Sequence, residues 1–421
     1  MNIELKYGDR QHVLRIPQKA EVSILRPTEM WTPRSIGDAL ENALENPLGC
    51  ENFDKLACHV APKRVAIAVP DETRPMPVRT ILATLLKRIY SALPNLKPSA
   101  LTIVIGAGLH PPAGRKAQER IAPPEVTTGC RVVQHDALRA SMVDFGVTKR
   151  GTPVRINADF AEADLKIVIG QIDPHQFVGF TGGAKGAVIG CGAVESIEHN
   201  HGLMFDEKAK VGCLDGNPVR EDMNEAGDMV KIDMAINVVL DADNNVVRLL
   251  TGEPVTVLKE GAKTCAALYG VSLEHKYDIV IASCGGHPKD ISLYQAQKGL
   301  NLASQALKQG GKILLFASCS QGVGDDTYFD YVSQFATPEE VLEDFKKLGF
   351  KMGAHKAFLF ARTLTQYDVA MVSDLDTGIM NKCHLRAADP DVIIRQWVDG
   401  FGGRPRVAVV PNANTTYFYP K

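Results

Sequence analysis

The residues Val65-Ala-Ile-Ala-Val-Pro70 form an apolar run that stops at a polar segment, Asp71-Glu-Thr-Arg74. A strand that is apolar on both faces is typical of a parallel sheet covered by helices on both sides. Similar apolar runs recur at residues 101–106, 165–170, 277–283, 312–317, 369–373 and 407–411. The pattern therefore predicts sheets that are largely parallel.

Helix-like stretches lie between these runs, at residues 77–93, 300–308 and 338–348. Strands that alternate with helices predict the α/β class. A chain of 421 residues is too long for one core, because domains commonly have about 100–200 residues. A helix-like run ends at Gly270. We therefore expect two α/β domains, residues 1–270 and 271–421, with an edge hairpin in the first 25 residues.

Composition narrows the class of partner. The formal net charge is −2, from 47 basic and 49 acidic residues, and there is no Lys/Arg run. Neither a nucleic acid nor a membrane surface is an expected partner, which leaves a small molecule. The chain start does not resemble a signal peptide, and its nine cysteines form no C-x-x-C pair. These features predict a cytoplasmic protein without a disulfide framework or a zinc ribbon.

Polar residues follow several of the predicted strands. In parallel sheets, ligands bind beyond the carboxyl ends of the strands. Histidine exchanges a proton near neutral pH, so His110 and His175 are candidate acid–base residues, with Asp71 and Arg74 beside them. The alternative is a pair of buried structural histidines. The segments concerned are Asp71-Glu-Thr-Arg74-Pro, Gly108-Leu-His110-Pro-Pro, Asp173-Pro-His175 and Cys284-Gly-Gly-His-Pro-Lys-Asp290.

A glycine-rich segment, Thr181-Gly-Gly-Ala-Lys185, follows His175. The backbone N–H groups of Thr181, Gly182 and Gly183 could form a nest for a phosphate. The segment is not a Walker motif, because Ala184 separates Gly183 from the lysine and no hydroxyl follows it. It does not match the dinucleotide fingerprint either. Lys185 is a candidate functional residue, or alternatively an ordinary loop lysine.

Two further segments carry groups that could bind a metal or a carboxylate. His199 and His201 diverge by about 200° on a helix, so only one of them can enter a site. Either could instead be a structural histidine, and the absence of H-E-x-x-H disfavours a zincin. In Tyr294-Gln-Ala-Gln-Lys298, Gln295 and Lys298 share a helix face, which is either a carboxylate clamp or a solvated surface.

In this order and at these spacings, the segments resemble the lactate racemase family of nickel-pincer enzymes. The start of the chain, Ile3-Glu-Leu-Lys-Tyr-Gly, is also similar to that family. The resemblance implies two α/β domains with the active site in the cleft between them. The other matching segments are Asp71-x-Thr-Arg74-Pro, Gly108-x-His110, Pro174-His175-x-x-x-Gly179-x-x-Gly-Gly-x-Lys185, His201 and Tyr294-Gln295-x-x-Lys298.

The resemblance implies a cofactor, the nickel-pincer nucleotide pyridinium-3-thioamide-5-thiocarboxylic acid mononucleotide. It would be covalently attached to Lys185, with its phosphate at Thr181, Gly182 and Gly183. His201 matches the nickel ligand best, and His199 competes with it. Nickel bound by two sulfurs, a carbon and one imidazole is chemically sensible. The enzymes that build the cofactor would be partners during maturation.

The resemblance also implies a reaction, which is inversion at C2 of lactate or a related 2-hydroxy acid. Hydride would pass to the cofactor and back through a 2-keto acid, while His110 and His175 handle the hydroxyl proton for opposite enantiomers. No tryptophan occurs in residues 353–357, which leaves the size of the substrate open. The implied substrate-binding residues are Arg74, Tyr294, Gln295 and Lys298, and Asp71 would orient its neighbours.

Two alternatives remain open at this point. One is a zinc-dependent hydrolase in which His110, His175 and His201 surround a metal that activates water. The other is a non-catalytic protein that binds small anions through the glycine-rich segment and Arg74.

Overall fold

The computed structural model describes residues 1–26, 35–241 and 243–421. Within these ranges, no helix has both the length and the apolar character needed to cross a membrane. The strands are β1 (Asn2–Tyr7), β2 (Arg10–Arg15), β3 (Glu21–Ile24), β4 (Val65–Pro70), β5 (Leu101–Gly106), β6 (Arg131–Gln134), β7 (Met142–Val147), β8 (Pro153–Asn157), β9 (Leu165–Gln171), β10 (Pro174–His175), β11 (Gly179–Phe180), β12 (Met234–Leu240), β13 (Val246–Gly252), β14 (Gly270–Leu273), β15 (Tyr277–Ser283), β16 (Leu307–Phe316), β17 (Asp368–Val372), β18 (Arg386–Ala387), β19 (Arg406–Val410) and β20 (Tyr417–Pro420). The α-helices are α1 (Ile36–Glu45), α2 (Phe53–Val60), α3 (Val78–Ala92), α4 (Arg115–Ile121), α5 (Ala158–Ala161), α6 (Lys185–Val188), α7 (Val194–Gly202), α8 (Pro218–Val230), α9 (Pro254–Tyr269), α10 (Leu293–Ser304), α11 (Asp326–Val332), α12 (Pro338–Leu348), α13 (Ala354–Leu364), α14 (Thr377–Lys382) and α15 (Pro390–Asp399).

The chain divides into two compact units. One contains Glu29–Leu268, and the other combines Met1–Thr28 with Tyr269–Lys421. The expected division, 1–270 and 271–421, therefore differs from the observed one at the start of the chain. The physical reason is strand pairing, because β3 pairs in parallel with β19 and so belongs to the sheet of the C-terminal residues.

The unit of residues 29–268, which we call the first unit, contains a six-stranded sheet in the order β13-β12-β9-β4-β5-β6. Every neighbouring pair is parallel except β12 and β13. All residues of β4 except the last are buried, as its apolar run predicts. Helices α1, α2 and α3 pack against one face of the sheet through Leu40, Phe53 and Ile81. The loops that follow β4, β5 and β9 leave the sheet at the same edge.

The other unit, which we call the second unit, contains a six-stranded sheet in the order β18-β17-β16-β15-β19-β3. All of its neighbouring strands are parallel. The hairpin of β1 and β2, which the sequence predicts, packs Leu5 and Leu14 into a core with Ile279 and Trp397. The helix expected at residues 300–308 is wrong in its bounds. It is replaced by α10, which ends at Ser304, because β16 already begins to pair with β15 at Leu307.

Candidate functional site

Asp71 and His110 meet at the carboxyl ends of β4 and β5. Parallel pairing aligns the last residues of the two strands, so the loops that follow them start side by side. Nδ1 of His110 lies 2.7 Å from Oδ2 of Asp71. The carboxylate is buried, and its Oδ1 accepts a hydrogen bond from Oγ1 of Thr73 at 2.6 Å. The side chain of His110 is 44% exposed, so a buried carboxylate holds an accessible imidazole.

The charge state of Asp71 decides which nitrogen of His110 carries the proton. Burial raises the pKa of Asp71, but hydrogen bonds from His110 and Thr73 and the nearby charges of His110 and Arg74 outweigh it and hold the pKa below its ordinary value. The carboxylate is therefore ionised at neutral pH and can only accept. Nδ1 of His110 must carry the shared proton, and Nε2 of the neutral ring is the basic nitrogen. A general base oriented by a carboxylate has this arrangement.

His175 occupies the short strand β10, which pairs with β11. Its Nδ1 accepts a hydrogen bond from the backbone N–H of Val178 at 3.3 Å, so in the neutral ring the proton is on Nε2. The ring of Phe177 makes edge contacts with His175 and His201, at centroid distances of 4.6 and 5.1 Å. One buried phenyl ring therefore contacts both histidines.

Lys185 begins α6 and has a perturbed amine. Desolvation by the surrounding protein, together with the charges of Arg74 and Arg220, lowers the pKa of Lys185 to about 7, against the opposing charge of Asp71. The amine therefore loses its proton more readily than an ordinary lysine, and the unprotonated form is the one in which a lysine acts as a nucleophile. Since Arg74 and Asp71 act on it, Lys185 lies at the same edge of the sheet as the Asp71–His110 pair.

Arg220 holds the segment that leads to Lys185. This residue of α8 is fully buried, and its guanidinium donates to three backbone carbonyls, those of Val178, Phe180 and Gly182. Burial lowers the pKa of Arg220 to about 9. The side chain of Arg220 therefore both fixes the backbone of residues 178–182 and places a positive charge beside it.

The expected phosphate nest at Thr181–Gly183 depends on the backbone conformation and on which N–H groups are available. Gly182 and Gly183 have φ values of +93° and +60°, in the left-handed region. However, the N–H of Thr181 donates to the carbonyl of Asp173 at 2.9 Å, and that of Gly183 donates to Oδ1 of Asn237 at 2.8 Å. Phosphate binding there stays a prediction, and it requires these bonds to be exchanged.

His199 and His201 both lie on α7, as predicted, and face different surroundings. His201 is buried, whereas His199 is exposed, with its Nδ1 2.9 Å from Oγ1 of Thr152. Burial lowers the pKa of His201 to about 3, and the charge of Lys185 acts in the same direction. The imidazole of His201 is therefore neutral at pH 7, the form that binds metals.

Tyr294, Gln295 and Lys298 lie on α10 of the second unit, a helix that Ser292 caps. Gln295 is exposed, and Tyr294 is partly buried. Nζ of Lys356 lies 4.9 Å from the ring centroid of Tyr294. These residues lie on one helix, as the spacing of Gln295 and Lys298 suggests, and their role in substrate binding stays a prediction.

A metal centre built by protein side chains alone needs at least three ligands close together. Among the residues that the structure describes, no group of three or more His, Cys, Asp or Glu side chains could hold a metal ion. Within the described residues, His110, His175 and His201 are therefore not grouped as the three-histidine site that the zinc hydrolase alternative requires. A single buried imidazole at His201 fits a metal whose other ligands come from a cofactor.

Three residues of the site have no counterpart in the sequence-based prediction. Arg220 and Asp222, both fully buried, lie on a helix whose charged residues are typical of a solvated surface. Asn200 is also fully buried, and its position between two histidines is the one signal that could have identified it.

Comparison with known proteins supports one family over both halves of the chain. Residues 7–212 match the family model of the lactate racemase N-terminal domain, and residues 273–415 match that of the lactate racemase C-terminal domain. The chain is 30% identical to the lactate racemase of Thermoanaerobacterium thermosaccharolyticum over 383 residues, which are 89% of this chain and 88% of that protein. It is also 30% identical to the lactate racemase of Lactiplantibacillus plantarum, over 89% of each chain.

Solved structures agree with this assignment. The lactate racemase apoprotein from Thermoanaerobacterium thermosaccharolyticum superimposes with a TM-score of 0.90 at 27% identity, over 100% of both chains. A protein from Thermotoga maritima gives a TM-score of 0.65 at 16% identity, over 94% of this chain and 100% of that one, which shows a shared fold. The predicted α/β class with two domains is confirmed, and the chain belongs to the lactate racemase family of isomerases.

Proposed function

We propose that this chain inverts the C2 carbinol of lactate or a related 2-hydroxy acid, as a racemase or epimerase that uses a nickel-pincer nucleotide attached to Lys185. The observation that carries the proposal is the combination of four groups in the first unit. These are a nucleophilic amine at Lys185, a buried neutral imidazole at His201, and two candidate acid–base residues, His110 and His175. Membership of the lactate racemase family supports the same reaction class.

The residues present fit such a cofactor. The amine of Lys185 would form the covalent attachment, because its lowered pKa leaves it nucleophilic at neutral pH. The imidazole of His201 would supply the protein's ligand to nickel. The buried guanidinium of Arg220 and the charge of Arg74 favour an anionic nucleotide near Lys185. The enzymes that build the cofactor are the partners that we expect during maturation.

When bound, the cofactor supplies a hydride acceptor, so the hydrogen at C2 leaves without placing negative charge beside the carboxylate. The chain then has to manage the hydroxyl proton. Nε2 of His110 accepts it from one enantiomer, and Asp71 stabilises the imidazolium that results. Inversion also needs a histidine for the other enantiomer, and we assign that role to His175.

Substrate orientation is assigned to cationic and polar side chains. Arg74 follows β4 beside Asp71, and a guanidinium can bind a carboxylate with two parallel hydrogen bonds. We assign Tyr294, Gln295 and Lys298 to the substrate as well, on the family resemblance alone. The assay described next compares lactate with longer 2-hydroxy acids and so identifies the substrate.

The test is a racemisation assay. The chain is produced together with the cofactor-building enzymes and incubated with single enantiomers of several 2-hydroxy acids, and the products are separated by chiral chromatography. We expect the opposite enantiomer to accumulate with the wild type and not with Lys185→Arg, which keeps the charge but cannot form the attachment. His110→Ala and His175→Ala should each stop racemisation while the cofactor stays attached.

The outcomes separate the proposal from its rivals. A fully active Lys185→Arg variant would exclude attachment at this residue, and full activity of either histidine variant would exclude the two-histidine assignment. If the nucleotide attaches but every enantiomer is returned unchanged, the chain is a binding protein rather than a racemase.

A further inference from the structure

Asn200 forms a buried bridge between His201 and α8. Its Nδ2 donates to Oδ2 of Asp222 at 2.8 Å and to the backbone carbonyl of Val219 at 3.0 Å. Its Oδ1 lies 3.1 Å from Nδ1 of His201. Both Asn200 and Asp222 are 0% exposed, so no solvent competes for these bonds.

Asp222 is itself held from the other side. Its Oδ2 also accepts a hydrogen bond from Oγ1 of Thr152 at 2.6 Å, and its Oδ1 accepts one from Oγ1 of Thr148. Thr148 is tied to the same loop, because the N–H of Thr152 donates to its hydroxyl at 3.0 Å. Each oxygen of the Asp222 carboxylate therefore accepts a hydrogen bond from a threonine hydroxyl. These bonds fix the carboxylate to which Asn200 donates.

These contacts determine the protonation pattern of His201. A backbone carbonyl has no proton to give, so the atom of Asn200 that faces Val219 must be Nδ2, and Oδ1 must face His201. Oδ1 has no proton either, so Nδ1 of His201 carries the proton in that contact. Nε2 of the neutral ring is then the nitrogen with the unshared electron pair, and such a nitrogen is what a metal binds.

We propose that Asn200, anchored by Asp222, is the positioning residue that orients the ring of His201 and leaves Nε2 as its nickel-bonding atom. Histidines that ligate metals commonly donate their other ring N–H to a fixed acceptor, which Asn200 provides. His199 has a comparable hydrogen bond, because the Thr152 hydroxyl gives its proton to Asp222 and therefore accepts from Nδ1 of His199. The two histidines differ in burial, since His199 is exposed and His201 is buried near Lys185. The inference rests on the proposed function, which assigns nickel to His201.

The first test uses the full chain without cofactor, so it does not depend on activity. The chain is labelled with ¹⁵N-histidine, and two-bond proton–nitrogen correlations are recorded at neutral pH. The signals of His201 are assigned by their loss in His201→Gln. We expect Nδ1 to be the protonated nitrogen of His201 and Nε2 the unprotonated one. The opposite pattern would overturn the inference.

The second test measures nickel retention in chains produced with the cofactor-building enzymes. We expect Asn200→Leu to bind nickel about 10–100-fold more weakly during dialysis against a chelator, with the mass added at Lys185 unchanged. The matched control is His199→Gln, on the same helix, which should retain nickel like the wild type.

Different outcomes test the role of Asn200 and the assignment of His201 as the nickel ligand. Wild-type nickel retention in Asn200→Leu, together with loss of nickel in His201→Gln, would overturn the role of Asn200 alone. Nickel retained by His201→Gln would instead overturn the ligand assignment in the proposed function.

Discussion

At the scale of single residues, the candidate site depends on two ionisable groups with lowered pKa values. The Asp71 carboxylate stays ionised at neutral pH because His110, Thr73 and Arg74 stabilise its charge against the cost of burial. The Lys185 amine loses its proton readily because burial and nearby cations destabilise its charge. The first group becomes a permanent acceptor, and the second becomes a nucleophile.

The orienting role of Asp71 is tested by Asp71→Asn. The amide cannot carry the charge that stabilises a protonated His110, so we expect kcat to fall on the order of 10²–10⁴-fold with little change in KM. Glu72→Gln is the control, because Glu72 pairs with Arg120 at the surface, and its kcat should not change. Steady-state racemisation kinetics measure both variants. A wild-type kcat in Asp71→Asn would rule out the orienting role of Asp71.

The lowered pKa of Lys185 predicts a pH dependence in the chain without cofactor. Acetylation of Lys185, followed by peptide mass spectrometry, should become faster as pH rises through about 7, because the amine loses its proton there. Ordinary lysines reach this point near about 10.4. Arg74→Gln removes a cation and should move the midpoint upward, whereas the exposed Arg79→Gln should not. An unshifted midpoint near that of ordinary lysines would contradict the electrostatic account.

At the scale of elements, the sequence predicts the buried strands well and the polar bridges poorly. Residues 65–70 and 101–106 become β4 and β5 because an apolar run with polar flanks is typical of a strand that is buried on both faces of a parallel sheet. By contrast, Asn200 and Asp222 meet only after α7 packs on α8. Their pairing depends on tertiary contacts that no local pattern contains.

The turn between β10 and β11 is an element that requires glycine. Gly179 has φ +81°, and an added Cβ would lie 2.0 Å from the carbonyl oxygen of Cys213. We expect Gly179→Ala to destabilise the chain by about 2–4 kcal/mol through strain and overpacking. Since Gly179 pairs with His175, activity should fall as well.

Urea unfolding measures this effect against a matched substitution. Gly114→Ala places its Cβ where no atom lies within 4 Å, so its stability should change by less than about 0.5 kcal/mol. Equal stabilities of the two variants would show that the turn tolerates a side chain.

At the scale of the whole molecule, the division into two units differs from the order of the sequence. The boundary at the end of α9 follows a change of pattern that the sequence contains, whereas β3 pairs with β19 across about 385 positions, from Glu21 to Arg406. A single sequence has no local feature that marks such a pairing. From the sequence alone, the first strands are therefore assigned to the N-terminal domain as an edge hairpin. In the structure they belong to the second unit.

Leu5→Ala tests this arrangement. Leu5 is 0% exposed and packs with Ile279 and Leu314, so the substitution should cost about 2–5 kcal/mol. Hydrogen exchange should accelerate in β15 and β16 while β4 and β5 keep their protection. Val13→Ala, at a position that is 51% exposed, is the control and should change neither. Faster exchange confined to the first unit would contradict the assignment.

The attachment of the cofactor is the central claim, and intact-mass analysis with peptide mapping tests it most directly. For the chain produced with the cofactor-building enzymes, we predict one covalent mass increment that maps to Lys185, with nickel present in equal amount. Lys185→Arg should carry neither. A nickel-loaded chain whose Lys185 is unmodified, or an increment on any other residue, would contradict the account.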